Sequence, residues 1–259
     1  MLDTLFSLEG RTALITGGSR GIGEMIAEGY VRAGAKVYIS SRKAPDCLAT
    51  AERLSELGTC IALPADVSGA DGAQALAKQY LEHEDALDIL VNNAGAAWGA
   101  PFEEFPESGW DKVMDLNVKS PFFLTQALFG ALKANASPER PSKVINIASI
   151  DGLSVNMMET YSYAASKSGL IHLTKRMALE LVKSNVVVTA IAPGAFASSM
   201  NKAARDHADL VSNYVPSGRI GTPEDMAGAA IFLASRAGDY VVGSTLIVDG
   251  GVAHTRGGS

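Results

Sequence analysis

Short runs of β-branched and aliphatic residues alternate with longer stretches of helical periodicity along the whole chain. Apolar runs at about 12–16, 36–40, 60–64, 88–92, 144–148, 186–191 and 245–248 predict seven strands. Helical patterning fills the intervals: from the turn after residue 16 to about 34, then about 46–57, 70–84, 109–134, 160–183 and 223–234. Strand–helix alternation of this kind means parallel strands with helices on both faces. The near-continuous Val/Ile/Leu composition of the strands agrees, because such strands are covered on both sides. The expected fold is therefore a single-domain α/β Rossmann fold, a doubly wound parallel sheet of about seven strands over residues 1–259. Ligands of such a sheet bind beyond the carboxyl ends of its strands, so the segments that follow strands are where chemistry is expected. Residues 134–142 read as a surface loop. The stretch 192–221 reads as an irregular, mobile substrate flap, and about 253–259 as a loose tail.

Composition narrows the class. A chain of 259 residues with 47% hydrophobic and 19% charged residues buries a large core and is not disordered. Its net charge of −6 argues against binding nucleic acid. Asp3 and Glu9 interrupt the amino terminus, and no apolar run reaches membrane-spanning length, so no membrane association is expected. Cys47 and Cys60 form no CxxC pair, and the four histidines are scattered. No metal site is expected, and a cytoplasmic location fits this cysteine usage.

The first strand runs into Thr16-Gly17-Gly18-Ser19-Arg20-Gly21-Ile22-Gly23. Gly17 permits a sharp turn, Gly21 removes bulk where a pyrophosphate approaches the backbone, and Gly23 lets the following helix pack closely on the sheet. The helix amino terminus then offers free N–H groups to the phosphates. The second strand ends Ser40-Ser41-Arg42-Lys43, with no acidic residue to hold a ribose 2′-hydroxyl. Arg42 and Arg20 instead suit a 2′-phosphate, which predicts NADP(H) over NAD(H). Asp66 and Val67 follow the third strand and are candidates to hold the adenine. Asn92-Asn93-Ala94-Gly95 follows the fourth, with Gly95 allowing close passage of a ribose.

Tyr163 and Lys167, spaced i and i+4, share one face of a helix. A tyrosine hydroxyl titrates near 10, too high for easy proton exchange, and an adjacent ammonium is expected to lower it. The pair could then exchange a proton with a carbonyl or alcohol oxygen. Ser149, at the end of the fifth strand, is placed to hydrogen-bond the same oxygen. Tyr161 has Ala165 rather than a lysine at i+4, so it is expected to pack or to line the substrate pocket. Substrate-facing residues are expected from 154–160, 96–98 and 197–214, with Met157, Met158, Phe196 and Met200 forming an apolar pocket or else filling core gaps.

Taken together and in order, the glycine-rich turn, Asn92-Asn93-Ala94-Gly95, Asn117, Ser149, Tyr163-x-x-x-Lys167 and Pro193-Gly194 resemble the short-chain dehydrogenase/reductase family. The resemblance spans Thr12 to about Gly251, and within the family it is nearest to 3-oxoacyl reductases. It implies an NADPH-dependent reductase of a small-molecule carbonyl substrate, with other ketones, sugars or ring ketones as alternative substrates and a noncatalytic NADPH-binding protein as a further alternative. It implies Tyr163 as general acid, Lys167 on the nicotinamide ribose and Ser149 orienting the carbonyl. Asn117 would hold a water that relays protons through Lys167. Pro193, Gly194 and Phe196 would lie along the nicotinamide, and Ser198, where the family often has Thr, would contact its carboxamide. The resemblance also implies a homotetramer built through the two long helices and the last strand. Val113, Phe122, Phe123, Leu170 and Leu173 are spread around those helices and are explained equally well by the core.

Overall fold

The computed structural model describes residues 2–198 and 201–255. Seven strands make one sheet in the order β3-β2-β1-β4-β5-β6-β7, with every neighbouring pair parallel. They are β1 (Thr12–Thr16), β2 (Lys36–Ser40), β3 (Cys60–Ala62), β4 (Ile89–Asn92), β5 (Ser142–Ile147), β6 (Val186–Pro193) and β7 (Thr245–Val248). The chain leaves β1 toward one edge, then returns to place β4 on the other side of β1. That reversal is where a sheet of this kind opens a crevice beyond its strand ends.

Helices α1 (Gly21–Arg32), α2 (Ala44–Ser55) and α3 (Gly69–Leu81) follow the first three strands. Two separate apolar cores show the double winding. One gathers Ile26, Tyr30, Cys47, Leu54, Met226 and Leu233 against one face of the sheet. The other gathers Leu76, Tyr80, Leu124, Leu132, Met177 and Ala178 against the opposite face.

The continuous helix expected over 109–134 is interrupted. Helix α4 (Glu107–Met114) opens into a wide π-turn at Asp115–Lys119, resumes as α5 (Ser120–Ala127), breaks at Leu128 and ends as α6 (Phe129–Ala134). Pro121 is the physical reason at hand: it has no N–H to return to the Asn117 carbonyl four residues earlier. Helix α7 (Tyr161–Leu181) is long and unbroken. A buried amide chain bolts it to the sheet: Asn92 Nδ2 donates to Asn146 Oδ1 at 2.9 Å, and Asn146 Nδ2 donates to Thr174 Oγ1 at 2.9 Å.

The expected irregular flap contains α8 (Lys202–Asp206) and α9 (Ala208–Ser212), and it leads into α10 (Pro223–Ala234). The expected loose tail is tied down as far as Thr255. Gly251 and Ala253 donate backbone N–H groups to the Asp249 carboxylate, at 2.8 and 2.6 Å. The remainder of that tail, 256–259, lies outside the described residues. The 134–142 loop is anchored too, by Arg140, whose guanidinium reaches Gly10 O at 2.7 Å and Asp88 Oδ1 at 3.0 Å.

Candidate active site

A cleft of about 850 Å³ lies at the carboxyl ends of the strands. Its floor at one end is the turn between β1 and α1. Gly17 and Gly21 take positive φ angles of 65° and 56° there, a region that L side chains avoid. A Cβ on Gly17 would stand 2.8 Å from Asn93 Nδ2, and one on Gly23 would overlap both the Gly17 carbonyl and that amide. The turn is also fastened to the end of β4. Thr16 Oγ1 accepts the N–H groups of Asn93 and Ala94, both at 3.0 Å, and Asn93 Nδ2 donates to Thr16 O at 2.9 Å. Helix α1 starts without any side-chain cap, so its first N–H groups remain free.

Ser19, Arg20, Gly21, Ile22, Ser41, Arg42, Asp66, Val67, Asn93, Ala94 and Gly95 all border this cleft with Gly17, as expected. Gly23 acts from behind it. Arg20 and Arg42 are exposed, and neither makes a salt bridge among the described residues. The buried Ser40 hydroxyl, also on the cleft, has no hydrogen-bond partner among the described residues. Uncapped helix amides, guanidinium groups with no salt bridge among the described residues and a cradle that a single Cβ would fill suit a phosphorylated dinucleotide.

At the other end the cleft is lined by Ser149, Tyr163 and Lys167, with Pro193, Gly194, Phe196 and Ser198 from the end of β6 and the flap. Ser198 lies across from the glycine turn, since a Cβ on Gly21 would sit 3.0 Å from its Cβ. Lys167 is buried, and its Nζ donates to the Ile147 carbonyl at 2.7 Å. The same Nζ lies 5.6 Å from the centre of the Tyr163 ring. Gly95 faces both Asn117 and Lys167, at 3.3 and 3.8 Å from where its Cβ would be.

One expectation is overturned here. The lysine does not bring the Tyr163 phenol below its ordinary range. Burial pushes it up to about 12, Ser149 pulls it down through a hydrogen bond, and the Asp151 charge adds to the rise. Burial also lowers the Lys167 ammonium to about 8, against the opposing effect of Asp151. The ammonium is held by a main-chain carbonyl beside the ring rather than by the phenol oxygen. The phenol is therefore a firmly protonated acid at neutral pH in the protein without bound ligand.

Asn117 sits in the π-turn with its side chain fully engaged. Oδ1 accepts Ala96 N–H at 2.8 Å, while Nδ2 donates to Ala96 O and to Ser166 Oγ, both at 2.9 Å. The amide thus clamps the segment after β4 to α7.

The expected substrate lining is met in part. Ser154, Val155, Asn156, Met158, Thr160, Ala97 and Asn201 border the cleft. Met157 does not: it is 98% exposed, and Met158 is 64% exposed, so neither fills a core gap. Met200 lies outside the described residues. Trp98 packs away from the cleft, 2.7 Å from where a Gly109 Cβ would be and under the Lys112 ammonium. Tyr214 is largely exposed and does not line the cleft. Tyr161 faces a separate aromatic hollow with Phe102, Phe105 and Trp110. Asp151 was missed. It stands two residues after Ser149 at a strand end, which is the signal that could have found it.

Comparison with known proteins agrees with this geometry. The family described as enoyl-(acyl carrier protein) reductase matches residues 17–253. The rhamnolipids biosynthesis 3-oxoacyl-(acyl-carrier-protein) reductase of Pseudomonas aeruginosa is 50% identical over 251 residues, 95% of this chain and 97% of that one. The 2-dehydro-3-deoxy-D-gluconate 5-dehydrogenase of Escherichia coli is 39% identical, covering 97% of this chain and 98% of its own. Among solved structures, the RhlG/NADP active-site complex of Pseudomonas aeruginosa superposes with a TM-score of 0.93 at 48% identity, covering 96% of this chain and 99% of that one. A gluconate 5-dehydrogenase of Burkholderia cenocepacia in complex with NADP and tartrate gives 0.90 at 34% identity, covering 99% and 100%.

Proposed function

Because the chain belongs to the short-chain dehydrogenase/reductase family, we propose that it is an NADPH-dependent reductase of 3-oxoacyl thioesters. The observation that carries the reductase reading is the meeting of Ser149, Tyr163 and Lys167 at one end of a cleft whose other end presents the uncapped start of α1 with Arg20 and Arg42.

The first turn of α1 would hold the pyrophosphate of NADPH, and Arg20 and Arg42 its 2′-phosphate; when bound, NADPH would supply a hydride for the carbonyl carbon. The chain's own residues do the rest. The Ser149 hydroxyl accepts Asp151 N–H at 3.1 Å and hydrogen-bonds the Tyr163 phenol, so the two hydroxyls stand together to receive the substrate oxygen. The Tyr163 hydroxyl gives its proton to that oxygen. A phenol held near 12 remains a competent donor, because an alkoxide is far more basic than a phenolate. Lys167 would hold the nicotinamide ribose. The Asn117 carbonyl would hold a water from which a proton returns through Lys167. Phe196 and Ser198 border the site from the segment after β6.

Support for an acyl substrate is the apolar rim of the cleft, where Val155 and Met158 are exposed, together with the 3-oxoacyl reductase relatives. A second reading, reduction of a keto sugar acid, draws on the gluconate-type relatives. Loss of NADPH absorbance over a panel of 3-oxoacyl thioesters, simple ketones and keto-aldonates decides between them. Faster turnover of keto-aldonates than of any thioester would overturn the acyl assignment, and a preference for NADH would overturn the roles of Arg20 and Arg42.

The assembly is a homotetramer in this reading, supported by apolar side chains left in solvent on the faces concerned. Phe122 is 38% exposed and Leu179 65% exposed on the two long helical segments, whereas Val113 and Leu170 are core. Light scattering tests it. The compartment is the cytoplasm in this reading, supported by two buried, unpaired cysteines. No helix among the described residues is long and apolar enough to cross a membrane.

A further inference from the structure

Asp151 is held in place by the turn it belongs to. It occupies a 3₁₀ turn, Ile150–Gly152, capped by Ser149. Gly152 N–H returns to Ser149 O at 3.0 Å, and Ser154 N–H to Ile150 O at 2.9 Å. The turn is pressed onto α7, since a Cβ on Gly152 would stand 2.7 Å from the Lys167 carbonyl carbon. Ser168 Oγ completes the clamp by donating to Gly152 O at 2.9 Å. The carboxylate itself makes no hydrogen bond among the described residues, yet it borders the cleft with the three reacting side chains.

The charges along the cleft divide sharply. Arg20, Arg42, Lys43, Asp46 and Asp66 lie at the nucleotide end, on the turn after β1 and the segments after β2 and β3. At the reacting end the charged lining residues, among those described, are Asp151 and Lys167. Lys167 is already held by Ile147 O and is buried. A substrate carboxylate near the reacting carbonyl would meet the Asp151 charge and find no free cation among the described residues. Asp151 also lies close enough to Tyr163 and Lys167 for its charge to favour the protonated form of each, although burial has the larger effect on both.

We infer that Asp151 is a specificity-determining residue that admits neutral β-keto compounds, such as thioesters and esters, and rejects substrates with a carboxylate beside the reacting carbonyl. The inference deepens the reductase reading and rests on it.

The test uses a matched pair that differs by one charge, ethyl 3-oxobutanoate and 3-oxobutanoate, in the full chain with NADPH. The quantity read is the ratio of kcat/KM for ester over anion, which a general loss of activity leaves unmoved. Asp151→Asn is expected to lower that ratio about tenfold, the factor that corresponds to about 1.4 kcal/mol. Asp151→Glu, which keeps the charge, is expected to hold the ratio within about twofold. Raising the salt concentration is expected to narrow the ratio in the wild type and leave it unchanged in Asp151→Asn. An unchanged ratio in Asp151→Asn overturns the inference, and so does an equal fall in both variants, which would assign the effect to shape. If the wild type reduces neither compound nor any thioester of the panel, the reductase reading fails and the inference falls with it. Thioester turnover with an unmoved ratio overturns the inference alone.

Discussion

At the scale of single residues, the chemistry depends on how burial treats two ionisable groups. Tyr163 keeps its proton because phenolate is poorly solvated where it stands, and Lys167 tends to lose its proton for the same reason. Tyr163→Phe removes the donated proton and little else. Turnover is expected to fall at least about a thousandfold, with NADPH affinity, read by fluorescence titration, within about threefold. Retained turnover would remove Tyr163 from the mechanism. The lysine makes a second prediction, about stability. Its folded value of about 8 lies below the ordinary 10.5, so the unfolded chain holds the proton more tightly between those values. Stability from this site therefore rises with pH across that window, by roughly 3 kcal/mol in full. Lys167→Met is expected to lose that rise. Urea denaturation of the cofactor-free protein at pH 7 and pH 9.5 reads it, and identical pH slopes in both proteins would refute it.

At the scale of elements, helix α1 and the turn before it are positioned by the absence of side chains. A Cβ on Gly23 would meet the Gly17 carbonyl and Asn93 Nδ2 together, so the helix could not sit where its free N–H groups face the cleft. Gly23→Ala is expected to destabilise the fold by about 1–3 kcal/mol and to weaken NADPH binding at least about tenfold, read by thermal denaturation with and without the nucleotide. Undiminished stabilisation by NADPH would show that the turn tolerates the shift. The role of these glycines was legible because the turn joins an apolar strand to an apolar helix. The interrupted helix at 107–134 was not legible in the same way. Its apolar positions continue through the break, and periodicity does not register that Pro121 lacks the N–H an α-helix would return to Asn117.

At the scale of the whole molecule, distant segments are joined through buried charges at the amino ends of the strands. Lys143 on β5 is 1% exposed at its side chain, and its Nζ sits 2.7 Å from Asp239, which follows α10. Burial pulls the Lys143 ammonium down and Asp239 opposes it. Asp239→Ala would leave a buried cation unpaired. A loss of about 2 kcal/mol or more is expected, discounted for the part of Asp239 that faces water. In the double variant with Lys143→Met much of this loss should return, and urea denaturation of all four proteins measures the coupling. An Asp239→Ala protein as stable as wild type would show that the pair is solvated.

Periodicity and turn chemistry are properties of neighbouring residues, and they determined most of what this chain is. Strands 12–16, 36–40 and 245–248 and the helix 223–234 follow from local pattern alone. So does the i, i+4 pairing of Tyr163 with Lys167, because a helix sets that spacing wherever it lies. Long-range packing decided what no local pattern encodes: how deeply a group is buried, which way its pKa moves, and which charge stands across a cleft from it. Met157 turned to solvent, Tyr161 faced another hollow, Tyr163 became a weaker acid rather than a stronger one, and Asp151 entered the site. Each outcome is set by desolvation and by contacts between segments far apart in the chain, which exist only once the sheet has brought those segments together.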